Sequence, residues 1–100
     1  NLTIVQQDVN VWMQKLKSDR YQLILVDLYT GSIIPEEFTF EKFLERVGRF
    51  LDTSGVAAFN HLYSSVEKEG AHVLEKRLLN VFSKVTSVKP EANIIFICNP

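Results

Sequence analysis

Asp27 is the residue in this sequence best placed to do chemistry. It closes the stretch Gln22-Leu23-Ile24-Leu25-Val26-Asp27, whose four consecutive apolar residues read as a strand buried on both faces. Ligands of open α/β sheets bind beyond the carboxyl ends of such strands, and a carboxylate there can accept a proton. The same carboxylate can instead satisfy loop N–H groups as a cap. Asp8 offers a parallel choice, since it precedes a helical pattern and can accept the free N–H groups of a first turn. Tyr29 and Thr30 follow Asp27 in a loop, where they either line a pocket or pack the loop itself. His61 and Tyr63 follow a second apolar run, Val56 to Phe59, again at its carboxyl end. His61 can act as a general acid or base near neutrality, or serve as a hydrogen-bonded loop residue. His72 has no partner at recognisable ligand spacing, and no zinc motif is present. Cys98 sits in an apolar run and reads as a small buried hydrophobe rather than a nucleophile.

The elements that must position these residues are legible from periodicity. Leu2 to Val5 is a short β-prone segment. Val9, Trp12, Met13 and Leu16 then recur at helical spacing, with Lys15, Lys17, Asp19 and Arg20 on the polar side and at the end. After the strand ending at Asp27, a loop containing Gly31 and Pro35 leads to a helix with Thr39 as its N-cap. Phe40, Phe43, Leu44, Val47 and Leu51 form its apolar stripe, and Phe50 widens it. Asp52-Thr53-Ser54-Gly55 is turn chemistry, with Gly55 free to take positive φ. Ser64 and Glu67 have capping-box spacing and open a third helix that runs to Phe82, with Leu74, Leu78, Val81 and Phe82 on one face. Gly70 weakens its first part by roughly 1 kcal/mol relative to Ala. Lys84 to Lys89 and Ile94 to Cys98 are strands joined by Pro90-Glu91-Ala92-Asn93, which predicts an antiparallel hairpin.

Composition narrows the function. The chain has 100 residues with 46% hydrophobic content, enough to build a core, so one domain over 1–100 is expected. A net charge of −1, from 11 Lys plus Arg against 12 Asp plus Glu, gives no field for nucleic acid or an anionic membrane. No apolar run approaches the roughly 18 residues that a membrane span needs. The lone Cys98 excludes an internal disulfide framework and fits a reducing, cytoplasmic compartment. The first residue is Asn1 rather than Met, which fits a processed or excised piece.

Three stretches together resemble the spermidine synthase family and, more broadly, the C-terminal half of the class I S-adenosylmethionine-dependent methyltransferase fold. They are Val5-Gln6-Gln7-Asp8-Val9 with its amphipathic helix; Tyr21 to Asp27 with Leu28-Tyr29-Thr30-Gly31 and Ile34-Pro35; and Phe43-Leu44 through Leu51-Asp52-Thr53-Ser54-Gly55-Val56. The terminal Ile95-Phe96-Ile97-Cys98-Asn99-Pro100 is similar to a strand that ends such chains. The resemblance implies Asp27 as the catalytic carboxylate, and Asp8 and Val9 as contacts to an adenine-bearing cofactor. It further implies Tyr29, Thr30, His61 and Tyr63 as residues around the substrate loop. S-adenosylmethionine or its decarboxylated form would be the cofactor of an intact parent, and the reaction an aminopropyl or methyl transfer tied to polyamine biosynthesis. The family's glycine-rich loop is absent from this sequence, and Thr30 stands where active spermidine synthases carry a second Asp. The chain alone is therefore expected to be inactive and to hold no cofactor tightly.

The expected architecture is a three-layer, Rossmann-like partial fold. It has a mostly parallel five-stranded sheet, with Leu2 to Val5 paired directly to the strand ending at Asp27, and a C-terminal antiparallel hairpin. Exposed sheet edges suggest a homodimer. The alternative function is a non-catalytic α/β domain used for protein association.

Overall fold

The computed structural model describes residues 20–27 and 41–100. The segment Leu2 to Val5, its direct pairing into the sheet, and the helix after Asp8 lie outside the described residues, as does the loop holding Tyr29 and Thr30. The described elements run β1 (Tyr21–Val26), α1 (Glu41–Arg49), β2 (Leu51–Leu62), α2 (Lys68–Val81), β3 (Lys84–Val88) and β4 (Asn93–Asn99). They form one four-stranded sheet in the order β1-β2-β4-β3. Strands β1 and β2 are parallel, while β4 is antiparallel to both β2 and β3. The sheet is thus mixed, with more antiparallel than parallel pairing, which corrects the mostly parallel expectation. The reason is where the hairpin goes. Its second strand, β4, inserts beside β2, so it adds two antiparallel ladders instead of one at an edge.

Opposed residues share a face of a sheet, which sorts the side chains. One face carries Val26, Phe59 and Phe96, and with them Ala57 and Cys98. All five are buried, and Phe96, Ala57 and Cys98 are fully so. The helices cover this face. Helix α1 contributes Phe43, Leu44 and Val47, and α2 contributes Ala71, Leu74 and Leu78, which is the i, i+3, i+7 stripe of an amphipathic helix. Helix α1 packs on β2 and α2, and α2 reaches β2, β3 and β4. Burying a side chain the size of Phe96, Leu44 or Leu78 contributes about 1.5–3 kcal/mol each. The Phe59 and Phe82 rings meet in a T-shaped arrangement, with centroids 6.0 Å apart and planes at 61°.

Three boundaries differ from the sequence reading. Strand β2 spans 12 residues rather than the short run Val56 to Phe59. Its carboxyl end is lengthened by β4, which pairs Asn93 with Leu62 and Ile94 with His61. At its amino end Leu51 pairs with Tyr21, but Val56 pairs with Leu23, so residues 52–55 bulge out opposite Gln22. Gly55 does not adopt a left-handed φ there. A Cβ on it would lie 2.9 Å from the Tyr21 carbonyl oxygen and 3.0 Å from that of Asp52, so close backbone approach is what requires glycine. Helix α2 starts at Lys68, later than the Ser64 spacing suggested, and Glu67 makes no side-chain cap bond. The Ser64 carbonyl instead accepts from the backbone N–H groups of Glu67 and Lys68, each at 3.1 Å, forming a turn before the helix. The hairpin itself is as expected. Asn93 donates its backbone N–H to the Pro90 carbonyl at 3.0 Å, and Glu91 holds φ 50.

Candidate functional site

The parallel pair decides where chemistry can sit. Both β1 and β2 end at one edge of the sheet, and loops beyond such an edge are where α/β sheets bind ligands. Asp27 follows directly on Val26, which pairs with Phe59, so Asp27 stands level with Asn60 at this edge and is exposed. Asp8, Val9, Tyr29 and Thr30 lie outside the described residues. The structure places His61 within β2 rather than in a loop after it. Its ring is on the helix-covered face with Phe59 and is buried, and Nδ1 donates to the Leu62 carbonyl at 2.6 Å. That bond directs the opposite side of the imidazole toward α2, where a Cβ on Gly70 would sit 3.5 Å from both Cε1 and Nε2.

Tyr63 gathers a cluster that no spacing in the sequence announces. Its backbone N–H donates to the Ala92 carbonyl at 2.7 Å, which ties it to the β3–β4 turn. Its half-buried ring packs against the core. Its phenol shares a 3.2 Å hydrogen bond with His72 Nε2. Two ammonium groups approach the ring: Lys89 Nζ at 4.7 Å from the centroid and Lys68 Nζ at 5.5 Å. These partners come from the first and second turns of α2 and from the residue after β3, which is why neither helical nor strand periodicity reveals them. At about 3.3 Å per residue, Tyr63 lies roughly 10 Å beyond Asp27 along the strand direction. Nearby, Asn93 Nδ2 donates to Asn60 Oδ1 at 2.9 Å and fastens β4 to β2 at the same edge. Glu67 turns Oε2 inward, where it is buried with no hydrogen-bond partner among the described residues.

Among the described residues no three His, Cys, Asp or Glu side chains gather closely enough to hold a metal ion. None of the described helices is long and apolar enough to cross a membrane. Cys98 is fully buried on the core face, and desolvation pushes its thiol up to about 12. As a thiol of that kind it is no nucleophile at neutral pH.

The sequence matches no protein-family model and no curated protein. The structure does match solved folds. One is human methyltransferase-like protein 13 in complex with SAH, with a TM-score of 0.77 and 18% identity over 97% of this chain and 48% of that one. Another is a probable spermidine synthase from Corynebacterium glutamicum, with a TM-score of 0.78 and 24% identity over 93% of this chain and 36% of that one. The chain therefore has the fold of a segment of these proteins and spans about half of the first and about a third of the second.

Proposed function

We propose that this chain is the acceptor-side segment of a transferase that uses S-adenosylmethionine or its decarboxylated form to move a methyl or aminopropyl group. The single observation that carries this is Asp27, exposed at the carboxyl edge of the β1–β2 pair, in a fold shared with an SAH-bound methyltransferase-like protein and a probable spermidine synthase. The described residues supply one rim of such a site and no cradle for a nucleoside. When bound, the sulfonium cofactor supplies an electrophilic carbon. What this chain's own residue does is accept a proton: an amine must be neutral to attack carbon, and the Asp27 carboxylate is placed to take that proton. Asp8 and Val9 would contact the cofactor, and Tyr29, Thr30 and Tyr63 the substrate side, while His61, buried beneath α2, would support that edge from behind. A polyamine acceptor and a cytoplasmic location belong to the aminopropyl form of this reading.

The isolated chain should bind S-adenosylhomocysteine or methylthioadenosine weakly and turn nothing over. Calorimetric titration checks the first point, and tight binding would contradict the one-rim reading. In a longer parent that does turn over, Asp27→Asn should lower kcat by about 10²–10⁴-fold, the usual worth of a general base. An unchanged kcat would leave Asp27 a loop cap. A second reading, a non-catalytic association domain, is favoured by one observation: Leu23 and Leu25 on β1 are 58% and 73% exposed.

A further inference from the structure

We propose that Tyr63, Lys68, His72 and Lys89 form a binding corner for an oxyanion, a phosphate or carboxylate group, at the carboxyl edge of the sheet. The inference rests on the transferase reading only for calling that group part of the acceptor. The corner itself is argued from the residues. Two ammonium groups, from α2 and from the end of the hairpin's first strand, converge on one aromatic ring at 5.5 and 4.7 Å. Among the described residues no ion pair joins either lysine to a carboxylate, although Glu67 and Glu69 flank Lys68 and Glu91 lies two residues from Lys89; Glu67 turns its Oε2 into the interior. Two ammonium groups held at one ring without an anion repel one another, and an oxyanion bound beside the ring weakens that repulsion while accepting charge-assisted hydrogen bonds.

The corner is also braced. Tyr63 is held by the core, by its backbone bond to Ala92 and by the phenol bond to His72. Its ring therefore gives both ammonium groups a fixed surface. His72 stands beside the phenol, its Nε2 3.2 Å from the phenol oxygen. A cationic acceptor such as a diamine would meet ammonium groups here. The chemistry thus favours an acceptor that carries an oxyanion roughly 10 Å from the atom facing Asp27.

The test is an amide-resolved NMR titration of the 100-residue chain with inorganic phosphate at constant ionic strength, with putrescine titrated in parallel. Saturable shifts confined to Tyr63, Lys68, His72, Lys89 and their neighbours are expected with phosphate and not with putrescine. The double variant Lys68→Gln/Lys89→Gln alters two exposed side chains and should keep a dispersed spectrum while weakening phosphate at least about tenfold, the loss of one charged hydrogen bond or more. Tyr63→Phe, which keeps the ring and loses the bond to His72, should weaken it less. Unsaturable shifts spread over all lysines, or undiminished binding by the double variant, would overturn the corner. S-adenosylhomocysteine binding is measured separately, so its failure counts against the transferase reading and leaves the phosphate result standing.

Discussion

Two residues show how local surroundings set what a side chain can do. Gly70 lies in the first turn of α2, where glycine costs roughly 1 kcal/mol relative to alanine. A Cβ there meets only the His61 ring at 3.5 Å, an ordinary contact. Gly70→Ala should therefore raise stability by about 0.5–1 kcal/mol in urea denaturation, and a loss would mean that His61 cannot accept the methyl. Cys98 works in the opposite sense. Burial lifts its thiol from 9.0 to about 12. Between those values the folded chain keeps the proton and the unfolded chain releases it, so this group's contribution falls as pH rises from about 9 to about 12. The melting midpoint should decline over that window, with part of the decline absent in Cys98→Ala. Folded protein at pH 8 should resist thiol reagents until denatured; rapid labelling of the folded chain would contradict the burial.

At the scale of elements, β2 is the organising piece. It is parallel to β1, antiparallel to β4, and carries core residues on one face along most of its length. Its weak point is the bulge at residues 52–55. There Gly55 lies under the Tyr21 and Asp52 backbones, and its carbonyl accepts from Asn99 Nδ2 at 3.4 Å. A methyl group at Gly55 has backbone on two sides and nothing flexible to displace. Gly55→Ala should cost about 1–3 kcal/mol, the range for overpacking, read as a lowered denaturation midpoint with an unchanged slope. The turn residues of this segment were legible from composition, yet their role as a bulge was not, because it needs Tyr21 alongside. The same holds for the start of α2, where Ser64 and Glu67 have the spacing of a capping box but the Ser64 carbonyl makes the bonds.

For the whole molecule, the two faces of the sheet are unequal. The face opposite the helices carries Leu23, Leu25, Val56, Ala58, Ile95 and Ile97, which the strand registers set side by side. Leu23 and Leu25 are mostly exposed, and β1 is an outer strand of the described sheet. An apolar surface of this kind on an edge strand favours association. We expect the chain to self-associate with rising concentration in sedimentation equilibrium, and Leu25→Lys to shift it toward monomer by at least about tenfold in Kd, since a buried Leu contributes about 1.5–3 kcal/mol. A monomer at every concentration would remove the homodimer from the account.

The amino-acid order by itself determined the existence and type of each described helix and strand but not their bounds, since Leu51 and residues 52–55 belong to β2 and not to a helix and a turn; it also determined the antiparallel hairpin, the core stripe of Phe43, Leu44, Val47, Leu74 and Leu78, and Asp27 as the end of a strand. Those properties follow from near neighbours: periodicity, turn residues and runs of apolar side chains. Only the tertiary structure decided that β4 lies between β2 and β3, that β2 extends to Leu62, and that Lys68, His72 and Lys89 meet at Tyr63. These depend on which strand edge pairs with which, a choice among distant partners that local spacing does not encode.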